Sequence, residues 1–167
     1  TGFPSPSMIV PPKIVRANSI FSCRTGFPLN IRLICAPLRP EDVRTLSYKK
    51  GGKTVFSFEN IKGQWRIKEP YDDLADDRKA FSLAEDVLMW PVMSFEEDGA
   101  GPALTGLSAP AETLEIRTYD GRQAKISLGA VKDESKRFYY ASVSNREGTF
   151  VISKNSVRNL EKEPEEF

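Results

Sequence analysis

The sequence predicts an α+β domain in which antiparallel β-hairpins and meanders pack with one main helix and a short C-terminal helix. Three stretches carry that prediction. Leu114, Ile116 and Thr118 alternate with polar residues on one arm, and Ala124, Ile126 and Leu128 on another, about Asp120-Gly121. Residues 43–67 hold a second hairpin followed by a Trp-Arg-Ile strand, and residues 72–90 repeat apolar side chains at helical spacing.

In chain order, residues 1–28 are rich in proline and hold no sustained period, so they read as an irregular arm with one short strand at 14–17 or 19–22. Leu29, Ile31, Leu33 and Cys35 alternate with other residues and predict a strand closed by Pro37 and Pro40. The chain thus divides into residues 1–39, an irregular arm, and residues 40–167, a single α+β unit.

Within that unit Val43–Tyr48 and Thr54–Glu59 flank Gly51-Gly52, with Phe56 and Phe58 on one face. After a turn at 60–64, Trp65 and Ile67 share one side of a third strand that Pro70 stops. Ala80, Leu83, Ala84, Val87 and Leu88 mark the inner face of a helix within Asp72–Trp90, Phe81 widens that face, and Asp73 or Asp76 caps the start. Residues 94–103 read as an acidic loop, and Asp120-Gly121 as a type I′ turn. Strands at 138–143 and 149–154 pair across 144–148, and residues 156–167 form a short helix ending near Pro164.

Composition excludes several classes. The 167 residues carry 24 basic and 23 acidic side chains with no block of one sign, which is not the footprint of a nucleic-acid binder. The best apolar run, Leu29–Leu38, is broken by Asn30, Arg32 and Pro37, so no segment here spans a bilayer. The chain opens on Thr1 without a basic-then-apolar leader, and its targeting information is expected elsewhere. Cys23 and Cys35 allow one disulfide at most and cannot complete a zinc site alone.

With no histidine, Ser-His-Asp and Cys-His arrangements are ruled out. Gly106-Leu107-Ser108-Ala109-Pro110 has the outline of a nucleophile elbow, but proline replaces the second glycine. Gly52-Lys53-Thr54 imitates the end of a phosphate loop, yet Ser47 stands where its first glycine is needed. Asp72, Asp73, Asp76 and Asp77 offer hard oxygen ligands for Mg²⁺ or Ca²⁺, and a capped helix accounts for the same cluster without an ion. Glu96-Glu97-Asp98-Gly99 lacks the spaced ligands of an EF-hand. Trp65, Phe56 and Phe58 suit either a ligand platform or a core, and the core is the simpler reading. No catalytic, cofactor-binding or metal residue is therefore assigned, no cofactor is expected, and the chain does not read as an enzyme.

Taken in order, Trp65-Arg66-Ile67-Lys68-Glu69-Pro70, Ala75-Asp76 at a helix start, Gly106-Leu107-Ser108-Ala109-Pro110, a hairpin ending in Leu128-Gly129, and Tyr139-Tyr140 resemble the bacterial domain of unknown function 4340 family over about residues 40–165. The resemblance implies that residues 40–167 are a repeat unit of envelope proteins held by an N-terminal transmembrane helix elsewhere in the full-length protein, and that residues 1–39 carry the end of a preceding unit, with 27–42 a degenerate junction. Some such proteins accompany gliding-motility-type ABC transporter auxiliary proteins. It implies an extracytoplasmic location and protein partners, neighbouring units of the same chain included, but no active site. The expected function is a noncatalytic interaction or structural module. The alternatives are a small-ligand or glycan-binding module and, behind it, a carboxylate- or metal-dependent enzyme.

Overall fold

The computed structural model describes residues 2, 33–35, 37–96 and 101–167. The short strand expected at 14–17 or 19–22, most of the one at 29–35, and Cys23 lie outside them. Period-two alternation is realised as β1 (Val43–Lys50), β2 (Lys53–Ile61), β3 (Gln64–Glu69) and β4 (Asp73–Leu74), which lead into helix α1 (Asp77–Leu88). Then come β5 (Val92–Glu96), β6 (Glu112–Thr118), β7 (Gln123–Val131), β8 (Phe138–Val143), β9 (Arg146–Ser153) and a one-turn helix α2 (Lys154–Val157). Short 3-10 turns at Pro40–Asp42, Arg158–Glu161 and Pro164–Glu166 complete the described chain.

The nine strands of the described residues form one antiparallel sheet in the order β4-β3-β2-β1-β6-β7-β8-β9-β5. The protein is thus α+β but mostly sheet. Two four-stranded meanders, each followed by a helix, join through β1 and β6, where Leu46 faces Ile116 and Tyr48 faces Leu114. One face of the sheet carries the core: Leu46, Tyr48, Phe56, Phe58, Trp65, Ile67, Leu114, Ile116, Ile126 and Phe150 are almost wholly buried. Against it lie Ala80, Leu83, Ala84, Val87 and Leu88 of α1, the five residues whose spacing predicted the helix. Asp76 caps that helix, its carboxylate accepting from the N–H groups of Arg78 and Lys79. The opposite face is polar, with Ser47 hydrogen-bonded to Ser57 at 2.8 Å and Glu115 between Lys49 and Lys125.

Five details differ from expectation. Gly51 and Gly52 both take positive φ, as a type I′ turn requires, but at the other hairpin only Gly121 does. There Thr118 N–H donates to Arg122 O and Gly121 N–H to Thr118 O, which makes a three-residue loop with a bulge glycine. Residues 94–96, expected in a loop, belong to β5, which pairs with β9 and so forms the far edge of the sheet. The last hairpin turns over Ser144-Asn145 alone, because β9 begins at Arg146. The C-terminal helix starts earlier than expected, at Lys154, and gives way to 3-10 turns after one turn. Phe81, expected to widen the buried face of α1, is 38 % exposed.

The expected core of Trp65, Phe56 and Phe58 is observed, and the C-terminal Phe167 ring packs on both phenylalanines at 6.1 and 5.3 Å. The Gly106-Leu107 and Leu128-Gly129 stretches meet one another: Ala130 N–H donates to Thr105 O at 2.7 Å. A Cβ on Gly129 would stand 2.1 Å from that carbonyl oxygen, so the approach of loop to strand requires glycine.

Truncation should separate the two aromatic residues that helix and strand periodicity treat alike. Trp65→Ala should cost about 3–5 kcal/mol in chemical denaturation, and Phe81→Ala about 1 kcal/mol because much of its ring already meets water. Equal losses would contradict the difference in burial.

Candidate functional site

The four clustered aspartates do not converge. Asp72 pairs with Arg66 at 2.9 Å and Lys68 at 3.1 Å, Asp73 accepts from Leu74 N–H, and Asp76 caps α1. Asp77 Oδ1 accepts from the backbone N–H of Trp65 at 2.7 Å, while Ala75 N–H donates to Trp65 O, so the helix start is buttoned to β3. No group of three or more potential metal ligands gathers among the described residues. Gly52-Lys53-Thr54 joins two strands rather than opening a helix, so no helix N-terminus stands ready for a phosphate. Ser108 is exposed in its loop, its N–H donating to Pro102 O. Glu96 accepts from Lys132 at 2.7 Å; residues 97 and 98 lie outside the described chain. Cys35 keeps a free thiol, pushed up to about 12 by burial against the opposing pull of Arg146.

Topology gathers a different set. Because β1 and β6 run antiparallel, the β2–β3 turn, the β6–β7 loop, the entry to β1 and the start of α1 all fall at the same end of the sheet. They enclose an open groove of about 550 Å³. Trp65 and Phe81 line it with Tyr119, while Asn60, Asp77 and Arg78 contribute polar groups, and Glu41, Lys62 and Gly63 complete the lining. Tyr119, half exposed, donates its hydroxyl to the backbone oxygen of Asn60, which fixes the ring across the groove mouth.

Asn60 is the group that distinguishes this hollow from a surface crease. Its side chain is only 6 % exposed, and Oδ1 accepts from Gly63 N–H at 2.8 Å. That bond closes the turn in which Lys62 and Gly63 both hold positive φ. It also fixes the amide orientation and leaves Nδ2 with no partner among the described residues. Trp90 Nε1 is the one fully enclosed side-chain nitrogen or oxygen without a partner among those residues, so Asn60 Nδ2 is reached from outside. Sequence reasoning named Trp65, Phe81 and Asp77 but missed Asn60, Lys62, Arg78 and Tyr119. The signal available was the strand order: once β1 and β6 pair, the two turns must be neighbours.

Elsewhere, charge serves the scaffold. Hydrogen bonds from Arg66 and then Lys68 hold the Asp72 carboxyl below its usual value. The Thr118 hydroxyl, followed by the Arg122 backbone N–H, does the same for Asp120, and the Ser135 hydroxyl does so for Asp133. Burial first, and then the hydrogen bond it donates to Glu112, raise Tyr48. In each aspartate the folded pKa lies below the unfolded one, so the stabilisation is complete above about pH 4 and is lost as pH falls toward the folded values.

Urea midpoints should therefore fall between pH 5 and pH 3, roughly as carboxylates protonate, and Asp72→Asn should flatten part of that slope. A midpoint that rises on acidification would contradict the direction of these shifts. For metal, ligands present at 100 times a real Kd would add about 2.7 kcal/mol. Thermal melts in millimolar Ca²⁺, Mg²⁺ or Mn²⁺ should match those in chelator; a rise of several degrees that disappears in Asp76→Asn and Asp77→Asn would restore the ion-binding reading. Comparison with protein-family models, with curated proteins and with solved structures finds no match to this chain.

Proposed function

We propose that the chain is a noncatalytic interaction module, one α+β unit of a larger envelope-associated bacterial protein, serving as an auxiliary to an ABC transporter. The observation that carries this reading is the division of labour among its polar groups. Those that resemble chemistry in the sequence are bound into the scaffold: Asp72 with Arg66 and Lys68, Asp76 on the helix start, Asp77 on Trp65. Groups without such a role, Asn60 Nδ2, Lys62, Arg78 and the exposed part of Phe81, border the groove. Supporting it, motif residues behind the family resemblance meet in pairs: Ala75 N–H donates to Trp65 O, and Gly129 lies against the Leu107 side chain. Motifs that pack on one another argue for a fold kept for its shape.

A second reading, a small-ligand or glycan-binding module, is favoured by the groove itself, since recognition sites are concave, partly apolar and supplied with a few fixed polar groups. The carboxylate- or metal-dependent enzyme has less support, because its four aspartates point to separate partners.

Fractionation of cells expressing the full-length gene product tests the setting. The protein should sediment with membranes and be cleaved by protease added to spheroplasts. Recovery in the soluble cytosolic fraction, protected from protease, would overturn the envelope assignment.

A further inference from the structure

The geometry points to the groove between the β2–β3 turn, the β6–β7 loop and α1 as a binding site for a neutral pyranoside, a sugar ring of an oligosaccharide chain. This deepens the recognition reading and rests on it.

Three features select that ligand. The first is aromatic surface without an aromatic partner: Phe81 is 38 % and Tyr119 50 % exposed, and neither ring contacts another aromatic ring among the described residues. An exposed ring face carries the negative lobe of its quadrupole, which attracts the weakly positive C–H groups lining one face of a pyranose. The second is the recessed Asn60 amide, whose Nδ2 hydrogens are unclaimed among the described residues while Oδ1 is fixed by Gly63. A hydroxyl or ring oxygen accepts from such a donor, and leaving the donor unmet in a closed complex would be costly. The third is charge. Lys62 and Arg78 line the same groove as Asp77 and Glu41, two of each sign, and none of the four forms a side-chain ion pair among the described residues. A balanced rim gives no net attraction to an anion or a cation, but it supplies donors and acceptors to hydroxyls that act as both. The cavity, about 550 Å³ and open at the surface, admits one or two rings of a chain continuing into solvent.

The probes are maltotriose and N,N′,N″-triacetylchitotriose, added to about 10 mM to ¹⁵N-labelled protein and followed by amide and indole chemical shifts. At least one trisaccharide should shift the Trp65 indole and the amides of Lys62, Gly63 and Tyr119, saturably. Tyr119→Ala and Phe81→Ala should each weaken binding about three- to tenfold, in keeping with the loss of one ring contact. Asn60→Asp keeps an oxygen for Gly63 N–H and removes the donor; it too should weaken binding. Should that variant fail to fold, Arg78→Ala, at an exposed position, provides a further polar test with the same expected direction. Met93→Ala, on β5 at the far edge of the sheet, should bind as the parent does. Absence of any saturable shift with both sugars overturns the ligand class, as does binding that survives both Tyr119→Ala and Phe81→Ala. Membrane fractionation does not depend on sugar, so loss of the sugar result leaves the envelope assignment standing or falling separately.

Discussion

The antiparallel contact between β1 and β6 is the constraint on which the rest of the architecture depends. Each meander alone is a set of sequential hairpins, with apolar residues on one face and polar residues on the other. Joined through Leu46 against Ile116 and Tyr48 against Leu114, they present one continuous apolar face wide enough for α1 and the C-terminal segment to cover. The contact has a polar clasp as well: the Tyr48 hydroxyl donates to Glu112 at 2.8 Å, and Lys50 lies 3.2 Å from the same carboxylate. The buried Tyr48 hydroxyl is thereby satisfied rather than stranded. Because side chains alternate with period two, a slip of one residue here would turn every apolar residue of one meander outward.

That contact also explains why the groove exists. Its wall is assembled from parts far apart in the chain: Asn60 and Trp65 belong to the first meander, Tyr119 to the second, and Phe81 to the helix between them. The Tyr119 hydroxyl on Asn60 O crosses from one meander to the other. Phe81, more than a third exposed, borders the space that these two turns surround.

Periodicity made the central strands and the inward face of α1 legible, since Leu46, Phe56, Phe58, Leu114, Ile126 and the five α1 residues all follow the spacing their elements demand. The strand β5 was not, because Val92–Glu96 is an edge with Met93 and Phe95 both exposed and a partner more than 50 residues away in sequence. The loop at Asp120 differs from the expected two-residue turn by local competition: the Asp120 carboxylate accepts from Thr118 and from Arg122, and those bonds favour a three-residue loop. The groove was partly legible at best. A tryptophan, a phenylalanine and an aspartate stood out by type, but a turn asparagine and a loop tyrosine acquire meaning only when tertiary pairing sets them side by side.

Helix α1 leaves the sheet at β4, one edge, and delivers the chain to β5, the opposite edge. Eight inter-strand spacings would make a flat sheet about 38 Å across. The eleven Cα-to-Cα steps inside α1 rise about 16 Å, and the seven steps that link it to Leu74 and Val92 add at most about 25 Å. Because α1 lies against the core face with its axis about 10 Å off the sheet, much of that linking length goes into leaving the sheet and returning to it, so a flat span is out of reach and the sheet must bow until its edges come close enough. The helix acts as a chord across an arc: its length limits how flat the arc can be, and tension that tried to straighten the arc would fall first on the ends of the chord, at the Asp76 cap and the Trp90-Pro91 exit.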